Sequence, residues 1–115
     1  MFNFLKKLFG PGTDYKGLVQ QGAVIVDVRS ENEFKSGHIE SAVNIPLNDL
    51  RSRMDELPKG PEIWAYCLVG QRSYYAARAL SQHGFDAKNI SGGYKTLQLL
   101  RDADGRLDQG KKRSD

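Results

Sequence analysis

The sequence predicts an α/β domain in which a mainly parallel sheet lies between helices on both faces. Three observations point there. From Thr13 onward, strand-like apolar runs alternate with helix-like segments. The first run, Ala23-Val24-Ile25-Val26, is β-branched and nearly continuous, the pattern of a strand covered on both faces. Strands separated by helices in turn imply parallel pairing, because each helix returns the chain to the same end of the sheet.

The elements follow in order. Residues 14–21 read as a helix, capped by Thr13 or Asp14 and stopped by Gly22. The strand at 23–26 ends at Asp27. Ser30 caps a helix through Lys35, with Glu33 three residues on as in a capping box, and Gly37 stops it. Residues 42–45 form a short strand ended by Pro46. Asn48 or Asp49 opens a helix to about Leu57, before Pro58. Residues 63–66 are the next strand, with Trp64 in core register and Cys67 at the carboxyl end. Residues 71–83 form the strongest helix, with Tyr74, Tyr75, Ala76, Ala77, Ala79 and Leu80 as its apolar face and Gly84 as its stop. A late strand at 87–90 leads through Ser91-Gly92-Gly93 to a final helix from Tyr94 to about Leu100.

Composition bounds the function. The 115 residues make one domain, expected at 13–100, and 39% apolar content can fill one core. A mean hydropathy of -0.55, with no apolar run near ~20 residues, excludes a spanning helix. The single cysteine excludes an internal disulfide and a cysteine-based zinc site, and fits a reducing, cytoplasmic setting. A net charge of +3 is too weak to imply nucleic-acid binding. Residues 1–12 form a basic amphipathic segment and hinge: Phe2, Leu5 and Phe9 share a helical face around Lys6 and Lys7, and Gly10-Pro11-Gly12 follows. Packing on the domain is the simpler role for it, membrane-surface contact by residues 1–9 the other. The charged tail at 101–115 is expected to fray.

The segment Tyr66-Cys67-Leu68-Val69-Gly70-Gln71-Arg72-Ser73 places a cysteine where a strand gives way to a helix. Ligand sites in parallel sheets form at such strand ends. Unsatisfied amides at the helix start, the helix dipole and Arg72 all favour thiolate over thiol. Gly70 lets the loop turn its amides inward, making a cup of N–H groups around one sulfur. The competing reading is a small buried apolar residue, and on the residues alone both stand. No serine–histidine–acid triad is legible. His38, in Gly37-His38-Ile39, reads as a hydrogen-bonding structural residue rather than a base, and His83 as a partner for the carboxyl end of its helix. Asp27 and Arg29, just past a strand end, either line the site or form a structural ion pair. The histidine spacing suggests no metal site, and no phosphate-binding glycine motif is present.

With these pieces in place, the sequence resembles a rhodanese (sulfurtransferase) domain. The resemblance rests on Val24-Ile25-Val26-Asp27-Val28-Arg29, Glu33-Phe34, Gly37-His38-Ile39, Ala42-Val43-Asn44-Ile45-Pro46, the Tyr66–Ser73 segment, Leu80, Gly84-Phe85 and Ser91-Gly92-Gly93-Tyr94, in the family's order over about residues 14–100. Within the family, the run from Tyr66 to Thr96 looks most like the rhodanese domains attached to coenzyme A disulfide and persulfide reductases. No flavoprotein portion accompanies it, so the domain is expected to stand alone. The resemblance implies a three-layer, doubly wound sheet of about five mainly parallel strands. It implies Cys67 as the sulfur-carrying nucleophile, with Leu68, Val69, Gly70, Gln71, Arg72 and Ser73 cradling the persulfide and Asp27, Arg29 and His38 as supporting residues.

The expected activity is transfer of a sulfane sulfur from a persulfide, polysulfide or thiosulfate through Cys67 to a thiol or cyanide. No bound cofactor, no metal and no nucleic acid are expected, and the chain is expected to be a monomer that can meet a thiol-bearing partner protein. Cys67 to Arg72 spans six residues, one fewer than the Cys-x5-Arg loop of related phosphatases. The tighter cup suits a sulfur better than a phosphate. Apolar Leu68 and Val69 stand where thiosulfate-using members often carry basic residues, which favours organic persulfide donors. A persulfide carrier or sensor is the alternative, and a phosphatase or arsenate reductase the more distant one.

Overall fold

The computed structural model describes residues 15–90 and 92–95. Four parallel strands, β1 (Val24–Asp27), β2 (Val43–Asn44), β3 (Glu62–Tyr66) and β4 (Asp86–Asn89), make a sheet of order β2-β1-β3-β4. The helices are α1 (Tyr15–Gln20), α2 (Glu31–Ser36), α3 (Leu50–Arg53) and α4 (Gln71–Gln82). All four segments read as strands from the sequence are strands. The fifth that the resemblance allowed has no counterpart among the described residues. The caps Thr13 and Asp14, the segments 1–12 and 101–115, and the helix beyond Lys95 lie outside the described residues.

Side-chain alternation along β1 and β3 divides the interior in two. Val26, Ile63, Ala65 and Cys67 face one side, where Leu50 of α3, and Ala76 and Leu80 of α4, cover them. Ile25 and Tyr66 face the other, packed with Ile39, Ile90, Tyr94 and Val19 of α1. Trp64 lies on this second face, half-buried, its indole N–H donating to Glu62 Oε1 at 3.1 Å.

Two expectations need correction. Residues 48–57 are not one helix. A 3-10 turn (Leu47–Asp49), α3 and a second 3-10 turn (Met54–Glu56) replace it. The Asp49 side chain caps nothing. The turns instead bring Leu50, Met54 and Leu57 into the core between Pro46 and Pro58. The second strand keeps only two ladder residues. Beyond them Ile45 N–H still donates to Asp27 O at 3.0 Å and, past Pro46, which has no N–H to give, Leu47 N–H donates to Val28 O at 3.1 Å.

The strand order sets the location of the site. From β1 the chain passes to β2 on one side, then to β3 on the other. The ends of β1 and β3 therefore flank the point where the winding reverses, with Asp27 opposite Tyr66 in register.

Candidate active site

Cys67 follows the last residue of β3, and α4 begins at Gln71, so four residues, Cys67 to Gly70, make the connection. Gly70 takes a φ of 94°, a left-handed conformation that costs glycine little. This turn points backbone N–H groups inward. Gly70 N–H donates to Cys67 Sγ at 3.1 Å and Ser73 N–H at 3.3 Å, while Ser73 Oγ lies 3.4 Å away. Cys67 is buried, 1% exposed. Burial pushes the thiol up, but the Ser73 hydroxyl when it donates to the sulfur, and the amides of Ser73, Gly70 and Val69, outweigh it, and the thiol is held below its ordinary value.

The loop is clamped from behind. Tyr94 N–H donates to Cys67 O at 2.6 Å and Lys95 N–H to Leu68 O at 3.0 Å. The clamp depends on Gly93. A Cβ there would lie 2.5 Å from both carbonyl oxygens, and its φ of +64° is itself left-handed. The glycine pair after the last strand was legible in the sequence, but its task was not.

The other site residues take different positions. Leu68 and Val69 are exposed, at 37% and 58%, and Gln71 is exposed at the start of α4. Arg72 turns to Glu33, with Nη1–Oε1 at 2.8 Å and Nη2–Oε2 at 3.2 Å. Glu33 also completes the capping box of α2, accepting from Ser30 N–H at 2.9 Å while Ser30 Oγ accepts from Glu33 N–H. The Arg72 guanidinium, with the Ser30 amide and against partial burial, pulls the Glu33 carboxyl down to about 2. The sequence marked Glu33 as a cap; its second partner lies 39 residues away and left no local trace.

Asp27 and Arg29 engage each other. Arg29 Nη2 lies 2.7 Å from Asp27 Oδ2, Nε 3.0 Å from Oδ1, and Arg29 N–H also donates to Oδ1. Arg29 Nη2 donates further to Gly37 O, and the guanidinium lies 4.3 Å from the centre of the Tyr94 ring. Both residues are buried. Next to them, burial and the Asp27 carboxylate push the Tyr66 phenol far up, and its oxygen accepts from Ile39 N–H. His38 stacks on Phe34 with ring centres 3.6 Å apart, and its Nδ1 bonds Phe34 O at 2.8 Å. A carbonyl only accepts, so Nδ1 carries the proton. His83 bonds Ala79 O in the last turn of α4. Among the described residues no cluster of side chains could hold a metal, and no helix is long and apolar enough to cross a membrane.

One residue of the site escaped sequence reasoning. Asn89, the last residue of β4, reaches Ser73 Oγ with Oδ1 at 2.5 Å and Gly70 O with Nδ2 at 3.4 Å. Its position at the carboxyl end of the strand beside β3 was the available signal.

The sequence matches the model of the rhodanese-like domain over residues 12–99. The chain belongs to the rhodanese-like family. It is 40% identical over 74 residues to uncharacterized protein YqhL of Bacillus subtilis, covering 64% of this chain and 59% of that protein. It is 35% identical over 74 residues to a sulfurtransferase of Allochromatium vinosum, covering 64% of this chain and 69% of that one. The crystal structure of reduced Bacillus anthracis CoADR-RHD superposes with a TM-score of 0.72 at 39% identity, over 76% of this chain and 16% of that one. That likeness accords with the resemblance to rhodanese domains of coenzyme A disulfide reductases.

Proposed function

We propose that this rhodanese-like domain is a sulfurtransferase that carries sulfane sulfur on Cys67. The observation that carries the reading is the pair of backbone N–H donors, from Gly70 and Ser73, aimed at a buried Sγ. Fixed amide dipoles favour a thiolate without neutralising it, so the sulfur remains a nucleophile. In the first step the Cys67 thiolate attacks the outer sulfur of a persulfide, R–S–S⁻. A Cys67–sulfur bond forms, the donor S–S bond breaks, and its electron pair leaves on R–S⁻. In the second step an acceptor thiolate takes the outer sulfur and the Cys67 thiolate returns. Cyanide can replace that thiolate, leaving as thiocyanate. Neither step needs an external oxidant or a strong general base.

The rim supports an organic persulfide over thiosulfate. Leu68 and Val69 offer apolar surface, and the charge of Arg72 is engaged by Glu33. Thiosulfate releases a doubly charged sulfite and gains most from free cations.

The test loads the protein with glutathione persulfide, weighs it intact, then adds cyanide and measures thiocyanate. Wild type is expected to gain one sulfur atom and release it over many turnovers. Cys67→Ser is expected to do neither while melting as wild type does. Turnover surviving in Cys67→Ser overturns the mechanism. Loading without turnover replaces the enzyme by a carrier, and hydrolysis of an aryl phosphate would favour a phosphatase.

A further inference from the structure

The single proton of the Ser73 hydroxyl is contested. Gly70 O can only accept, so the Asn89 amide must present its NH2 there and its oxygen to Ser73. Asn89 Oδ1 can also only accept, so Ser73 Oγ–H donates to it. The hydroxyl then turns lone pairs toward Cys67 Sγ, 3.4 Å away. A neutral thiol suits this chain of bonds, since S–H donates to Oγ and Oγ–H to Asn89. A thiolate does not suit it, because sulfur and oxygen lone pairs then face each other. When Cys67 loses its proton to solvent, the hydroxyl gains by swinging from Asn89 to Sγ, and Asn89 Oδ1 loses its donor.

We propose that Asn89 is a positioning residue that holds the Ser73 hydroxyl away from the sulfur and thereby sets how readily Cys67 ionises. The inference deepens the reading of Cys67 as the sulfur-carrying nucleophile and rests on it for its meaning. The other charged groups around the network are held elsewhere. Arg72 of α4 is joined to Glu33 of α2, and Arg29 to Asp27 at the end of β1. Lys88, beside Asn89 on β4, bonds Asp86 and lies 3.5 Å from Glu62 of β3. Lys95 meets the loop through its backbone N–H. Replacing Asn89 leaves each of these pairs in place.

The test is the pH dependence of alkylation by iodoacetamide, read by intact mass on the whole chain. Its only cysteine is Cys67, so the adduct that is absent from Cys67→Ser reports that sulfur. Removing the competing acceptor in Asn89→Ala is expected to lower the midpoint by about one pH unit, a tenfold gain in the thiolate-to-thiol ratio. Asn89→Asp, a stronger acceptor with a negative charge, is expected to raise it. In a Ser73→Ala background the hydroxyl is gone, so the Asn89→Ala shift is expected to vanish and the Asn89→Asp shift to shrink. The proposal is overturned by an Asn89→Ala midpoint that stays or rises, or by shifts that survive undiminished in Ser73→Ala. Should Asn89→Ala not fold, Asn89→Asp with and without Ser73 decides alone. Alkylation needs no sulfur donor, so failure here leaves sulfur transfer standing, and failure of sulfur transfer leaves this titration readable.

Discussion

Strands β1 and β3 lie side by side in the middle of the sheet and finish at its same end, yet they end in opposite chemistry. At the end of β1, Asp27 is fully buried and answered by a full countercharge, since the Arg29 guanidinium grips both carboxylate oxygens. After β3, Cys67 is buried almost as deeply but is answered by the amide dipoles of Gly70 and Ser73. A guanidinium fork closes on its carboxylate and leaves little charge to offer. Amide dipoles lower the cost of a negative charge while leaving it available to react. Burial alone therefore does not decide whether a charge is locked in place; the partner does.

Breaking the β1 end should be the larger event for stability. Asp27→Ala strands a buried guanidinium, and removing one member of such a pair costs about 3–5 kcal/mol. Urea unfolding is expected to show that loss, while any protein still folded keeps an alkylatable Cys67. A loss under ~1 kcal/mol would mean that Arg29 finds water when released. Gly93→Ala should strike the β3 end instead. The added methyl meets the carbonyls of Cys67 and Leu68, so the loop must move. Displacements near 1 Å can cost about 100-fold in rate, and sulfur transfer is expected to fall by that order while the fold survives.

A smaller change tests the outer charge pair. Glu33→Gln frees Arg72 at the site rim, and the kcat/KM for thiosulfate relative to glutathione persulfide is expected to rise several-fold. An unchanged ratio would remove Arg72 from donor selection. The smallest effect is in the acid range. The Glu33 carboxyl is held at about 2, against an ordinary 4.5, so its pairing contributes in full above the ordinary value and is lost as pH falls toward about 2. An NMR titration of that carboxyl should find its midpoint well below 4.5. The pair is partly exposed, so added salt should narrow the gap.

Local chemistry made much of the fold legible. The β-branched run of β1, the Ser30–Glu33 capping box and the length of α4 are properties of neighbouring residues, and each is found within about a residue of its expected place. The segment 48–57 failed because the core's demand for Leu50, Met54 and Leu57 outweighed its weak helical start. The site divides in the same way. Cys67, Gly70 and Ser73 are close in sequence, so a strand–turn–helix pattern was enough to bring them together. Asn89, Gly93 and the second partner of Glu33 reach the loop from other elements, and no local pattern could announce them.

What the sequence determined by itself is the alternation of strands and helices and the cysteine at the head of α4, because capping, turn geometry and side-chain periodicity act over a few residues. What only the tertiary structure decided is which charges are already taken and which donors face the sulfur. Those depend on strands that lie side by side in space though far apart along the chain, and hydrogen bonds are made only at contact.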